Sequence, residues 1–70
     1  MMITIQLPRG TMKIEIEEVN GQYQRVSRYT FATGKFAGKT LTNRSKTYKT
    51  ERGAVKEAEK FADQQARVMS

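Results

Sequence analysis

The spacing of apolar residues changes once along this chain, from every second position in the first half to every third or fourth position near the end. Residues 2–7 place Ile3, Ile5 and Leu7 on one side and Met2, Thr4 and Gln6 on the other. Residues 11–19 repeat the alternation, with Met12, Ile14 and Ile16 opposite Lys13, Glu15 and Glu17. A period of two belongs to a strand with one buried and one wet face. Between the runs, Pro8-Arg9-Gly10 predicts a turn, because proline presets φ and glycine tolerates positive φ. Together the two runs predict a β-hairpin.

Asn20-Gly21 is a strong signal for a type I′ hairpin turn. A third strand follows over about residues 22–32, rich in the β-formers Tyr23, Val26, Tyr29, Thr30 and Phe31. Its facing is open. The odd positions carry Tyr23, Arg25, Ser27, Tyr29 and Phe31, and the even positions Gln24, Val26, Arg28 and Thr30. A bulge near Ser27-Arg28 would bring Val26 and Tyr29 to one side. Residues 33–39 form a glycine-containing loop. Residues 40–48 read as a fourth strand or as loop. With Leu41 and Tyr48 as their large apolar groups, they suit a sheet edge, where Arg44 and Lys46 would discourage edge-to-edge pairing.

From residue 50 the period lengthens. Thr50 is a helix N-cap candidate, followed by Glu51 near the positive end of the helix. Ala54, Val55, Ala58, Phe61, Ala62, Gln65 and Met69 recur at helical spacing, against Arg52, Lys56, Glu59, Lys60, Asp63 and Arg67 on the opposite side. The alanines would let the helix approach a sheet closely, with Phe61 as the main anchor. Gly53 in the first turn costs up to about 1 kcal/mol relative to alanine. The expected fold is α+β: an antiparallel sheet of three or four strands packed on one C-terminal helix, ββββα or βββα. One helix cannot cover both faces of such a sheet, so the second face must be polar, bind a partner or dimerise.

Seventy residues make one domain, and a domain this size buries only about 60% of its unfolded surface. Its core rarely supplies more than about 3–5 kcal/mol unaided. The chain has no cysteine and no histidine, which removes disulfides, thiolate metal sites and the usual general base at neutral pH. Glu15 and Glu17 share the wet side of a strand, a spacing that can hold a metal ion or an acid/base pair. The polar face of an amphipathic hairpin explains them more simply. The expectation is a protein that is not an enzyme and needs no cofactor. The apolar runs are too short to span a bilayer, and the first residues carry no basic start or cleavage pattern, so no membrane partner and a cytoplasmic location are expected.

Charge sharpens this. Thirteen Lys and Arg face seven Asp and Glu, a formal net charge of +6. Between Val19 and Thr50 there are seven basic residues and no acid: Arg25, Arg28, Lys35, Lys39, Arg44, Lys46 and Lys49. Such a stretch can neutralise phosphates and release their counterions. Tyr23, Tyr29, Phe36 and Tyr48 could stack on bases if exposed, and Ser27, Thr30, Thr33, Thr40, Thr42 and Asn43 could bond phosphate oxygens. These seven basic residues are the candidate DNA- or RNA-binding site. Gly38-Lys39-Thr40 also ends like a nucleotide-binding P-loop, but Thr33 stands where the first glycine is needed and no helix is signalled afterwards.

The stretch from Tyr23 to residue 66 resembles a sheet-plus-helix DNA-binding fold. Tyr23 and Arg25 open its strand, Thr33-Gly34-Lys35 matches its turn, Tyr48-Lys49-Thr50 matches its aromatic-x-Thr helix start, and Ala54 and Ala58 match its small inward residues. The fold is shared by the Apetala-type transcription factors and the arm-binding N-terminal domain of tyrosine integrases. The resemblance implies that the sheet enters the major groove. Arg25, Arg28, Arg44 and Lys46 would then be strand contacts and Lys35 and Lys39 loop contacts, with a phage or mobile element as the implied source. A small protein-interaction or inhibitor module, using the bare sheet face or edge strand, is the competing expectation, with a protein partner or a homodimer.

Overall fold

Four strands and one helix follow each other in the order ββββα: Met2–Leu7 (β1), Gly10–Val19 (β2), Gln22–Phe31 (β3), Thr40–Arg44 (β4) and Glu51–Met69 (α1). The computed structural model describes residues 2–69, the side chain of Met69 excepted; the last position of the expected helical stripe thus falls outside the described side chains. The strands form an antiparallel meander in the order β1-β2-β3-β4. β1, β2 and β3 begin and end close to the positions that the sequence predicts. Asn20 and Gly21 both take positive φ, 51° and 77°, the backbone of a type I′ turn. Among the described residues, no helix is long and apolar enough to cross a membrane.

The facing of β3 is settled without a bulge. Its register with β2 is unbroken from Gly10↔Phe31 to Val19↔Gln22. The odd positions therefore lie on the helix side, beside Met12, Ile14 and Ile16. Val26 lies on the opposite face, yet it is 1% exposed. Glu15 and Arg44 are its cross-strand neighbours, with Gln24 and Arg28 two residues away along the strand, so long polar side chains surround a central valine.

The core lies between helix and sheet. Met12, Ile14, Tyr29 and Ala58 are buried, with Ile3, Ile5, Leu7, Ile16, Phe31 and Phe61 packed around them. Ala54 and Ala58 are fully buried, as expected where small residues bring a helix onto a sheet. The Tyr29 and Phe31 rings meet edge to face at 4.8 Å, a favoured aromatic arrangement. The molecule is a two-layer slab 16 Å thick. Its radius of gyration of 12.6 Å exceeds the roughly 11 Å expected of a rounder chain of this length. A single helix on a long sheet produces that shape.

Past Ser45, whose N–H still donates to Arg25 O at 3.0 Å, the chain leaves β3 and returns once, where Tyr48 and Tyr23 exchange both backbone bonds at 2.6 and 2.8 Å. The fourth strand is thus shorter than the 40–48 run, and every residue of it is exposed, as an edge strand should be. Thr50 caps the helix: its Oγ1 accepts from the Gly53 N–H at 3.2 Å.

Two glycines have different physical duties. Gly10 has no positive φ. It opens β2, where a Cβ would collide with the Thr30 carbonyl oxygen and touch the Tyr29 ring at 3.0 Å. Gly10→Ala should therefore cost about 3 kcal/mol or more and leave most of the chain unfolded, visible as lost CD signal and a collapsed thermal transition. At Gly53 a Cβ would meet Tyr48 and Thr50 at 3.4 Å, an ordinary contact. Gly53→Ala should raise stability by up to about 1 kcal/mol, seen as a higher urea midpoint at unchanged slope.

Candidate nucleic-acid interface

The seven basic residues of the acid-free stretch separate in space into four groups. Arg25 is 4% exposed and faces the helix. Its Nε donates to Glu57 Oε2 at 2.7 Å, Nη1 to Ser27 Oγ at 2.9 Å and Nη2 to Asn43 Oδ1 at 3.0 Å. Its guanidinium carbon sits 3.8 Å over the Phe61 ring centroid. The Arg25 backbone is held as well, donating to Ser45 Oγ at 2.9 Å and accepting from the Ser45 N–H at 3.0 Å. This arginine joins β3, β4 and α1, and none of its donors points at the open face of the sheet.

Arg28 and Arg44 do lie on the open face. There Arg28 Nη1 pairs with Glu15 at 2.9 Å, and Arg44 Nε lies 3.9 Å from Glu17, which also accepts from Gln24 at 3.1 Å. All four charged groups are at least 40% exposed in their side chains, so each pair contributes about 0–1 kcal/mol. Their importance is to the field. With Lys13 nearby, three positive charges sit among two negative ones, and the open face is close to balanced. The acid-free stretch of sequence is not acid-free in space, because β2 lays Glu15 and Glu17 beside it and α1 supplies Glu57.

The four lysines are exposed, and no ion pair to them forms among the described residues. They occupy opposite ends of the sheet. Lys46 and Lys49 flank Tyr48 beside the start of β3, with Lys46 Nζ 5.4 Å from the Tyr48 ring. At this end the Glu18 carboxylate, across the hairpin from Tyr23, holds the Tyr23 hydroxyl above its ordinary pKa, with desolvation adding to the effect. Lys35 and Lys39 lie beyond the other end of β3. Eight strand steps from Tyr23 to Phe31 put about 27 Å between the two ends.

The loop bearing Lys35 and Lys39 is exposed throughout but tied down. The Phe31 N–H donates to Lys39 O at 3.0 Å, Gly38 N–H to Phe31 O at 2.7 Å, Ala37 N–H to Gly34 O at 3.2 Å and Lys39 N–H to Phe36 O at 2.9 Å. Gly34 and Gly38 supply positive φ of 83° and 86°, which other residues adopt only with strain. Gly38-Lys39-Thr40 then runs into β4, where Thr40 Oγ1 lies 3.0 Å from Thr30 Oγ1; no helix opens there to receive a phosphate. Phe36 is 51% exposed and stands 5.9 Å from Phe31. Of the four aromatics that could stack on bases, Tyr29 is buried, Tyr23 and Tyr48 are half-buried, and Phe36 is open.

Arg9 belongs with this loop although it lies outside the basic stretch. Its carbonyl accepts from the Ala32 N–H at 2.9 Å, which brings the β1–β2 turn alongside the β3–β4 loop. Counting back along the hairpin from Asn20-Gly21 would have found it. Glu57 also has a signal in the sequence: it is three residues after Ala54 and four before Phe61, on the inward stripe, as Arg25 is in phase with Tyr29. Two charges in inward phase call for each other.

Comparison of the chain with protein-family models, curated protein sequences and solved structures finds no match.

Removing Glu57 leaves a desolvated guanidinium uncompensated. Glu57→Ala or Arg25→Ala should each cost about 3 kcal/mol, most of the stability of a domain this small. The double apolar change Arg25→Met with Glu57→Leu should recover much of that loss, because it leaves no buried charge. Urea unfolding of the three variants checks this.

Proposed function

We propose that this chain is a non-enzymatic nucleic-acid-binding module that engages phosphates with the loop end of its sheet. The observation that carries the reading is the pairing of exposed Lys35 and Lys39 with exposed Phe36 on a hydrogen-bonded loop. The Arg9 turn lies alongside, and Lys13 faces outward on β2. No carboxylate has its ion pair there among the described residues. A net charge of +6 draws the chain to polyanions, and a preformed loop lowers the ordering cost of contact. Phe36 offers a face on which an unpaired base can stack.

This reading moves the contact surface away from the sheet arginines. Arg25 serves the fold, and Arg28 and Arg44 stand beside carboxylates. A major-groove docking by the sheet, as in the Apetala-type and integrase domains, would have to dispense with Arg25. A phage or mobile element is the source that the resemblance implies. A second reading, a protein-interaction module, has its own observation: an uncovered apolar strip beside β4, where Leu41 is 62% exposed.

Titration of labelled single-stranded and duplex DNA across salt concentrations tests the proposal. With about four phosphates contacted, affinity for duplex should fall by about 10²-fold between about 50 and 200 mM salt. Lys35→Ala with Lys39→Ala should flatten the salt slope by about two, whereas Arg28→Ala with Arg44→Ala should leave it nearly unchanged. Phe36→Ala should weaken single-stranded binding by about 1–3 kcal/mol and spare duplex. Salt-insensitive binding, or indifference to the lysine changes, would sink the reading.

A further inference from the structure

The helix stops short of the fourth strand. It packs across β1, β2 and β3 and makes no close approach to β4. Between α1 and β4 runs a cleft of about 530 Å³, floored by Met12, Tyr29 and Phe31, with Phe61 on the helix wall and Leu41 at the outer lip. Around Leu41 it continues into a second hollow bounded by Phe31, Phe36 and Lys39. No carboxylate lines either one.

The backbone beside this cleft is also unpaired. In the β3–β4 ladder the bonds from Phe31 N–H to Lys39 O and from Ser45 N–H to Arg25 O bracket an unbroken register. Antiparallel ladders alternate bonded and non-bonded pairs. Leu41 and Asn43 therefore direct their backbone groups at β3, and Thr40, Thr42 and Arg44 direct theirs at the free edge. An apolar cleft and a row of outward amides and carbonyls run side by side.

We propose that this edge is a docking site for an extended segment of a protein partner, which adds a fifth strand beside β4. Strand addition draws affinity from main-chain hydrogen bonds and specificity from alternate side chains. Side chains on the helix side of the added strand meet Leu41 and the cleft, and so are apolar. Those on the other side meet Thr40, Thr42 and the Arg44 beside Glu17, and so are polar; those at the strand's end meet Lys39 and Lys35, and so are acidic. Charge selects this occupant. A second copy brings another +6 to the same edge, and a phosphate chain leaves the apolar cleft unfilled. A segment alternating apolar and polar residues, acidic at the end that meets Lys39 and Lys35, complements both. The site borders the loop proposed for nucleic acid, but its anchor, Leu41, and its hydrogen-bonding row lie outside that loop.

Short random peptides displayed on phage and selected on the immobilised chain should converge on alternating apolar and polar residues with acidic residues at one end. A synthetic copy of the selected peptide should slow hydrogen exchange at Thr40, Thr42 and Arg44. Leu41→Ser, at an exposed position and without a change of charge beside Lys39, should weaken the peptide at least about tenfold while CD and DNA binding stay unchanged. That last readout separates failure here from failure of the nucleic-acid reading. Failure to converge, convergence on basic sequences, protection confined to residues outside β4, indifference to Leu41→Ser, or sedimentation of the chain as a dimer would each overturn the proposal.

Discussion

The ion pair between Arg25 and Glu57, roofed by Phe61, is the constraint around which the rest of this molecule is arranged. A guanidinium taken out of water needs its donors met. Here they are met by Ser27 on the same strand, Asn43 on the next and Glu57 on the helix. One side chain thereby fixes the position of β4 on β3 and of α1 on β3. It also fixes phase. A slip of one residue would turn Arg25 to water and put Arg28 or Gln24 toward the helix. Such a pair adds little stability over an apolar core, and what it supplies is a single arrangement. The fully buried Ala54 and Ala58 leave the helix close enough for Glu57 to reach.

That arrangement redistributes the charge of the chain. The ion pairs among the described residues all use arginine, in keeping with a planar fork that matches a carboxylate. The lysines of the basic stretch stay solvated. Positive charge therefore leaves the middle of the sheet and collects at its ends. The hydrogen-bonded loop joins one of these clusters to an exposed aromatic, and that combination distinguishes it from Lys46 and Lys49.

The same single helix leaves β4 uncovered. A short, exposed, charged edge strand discourages casual pairing, and β4 has all three properties. The cleft beside it runs the other way, since apolar walls next to free backbone groups reward a partner that fills both. Both proposed surfaces meet at the β3–β4 loop, so the loop borders a phosphate-facing end and a strand-accepting edge.

The sequence by itself determined three strands, the helix and most of their boundaries, and left the 40–48 run open between strand and loop. Alternation with a period of two, Asn20-Gly21 and the alanine-rich helical stripe are local signals, and local sterics decide them. It also marked the inward side of β1, β2 and α1, where apolar and polar residues segregate cleanly. The phase of β3 was not legible, because its inward side carries Arg25 and Ser27 and its outward side carries Val26. That choice depends on Glu57, thirty-two residues away, and on the acids of β2 that shield Val26. The candidate site was legible as a set of charges but not as a surface. Adjacency along a chain says which residues are basic. Which carboxylates lie beside them is set by strand register and helix docking, and the tertiary structure alone decided that.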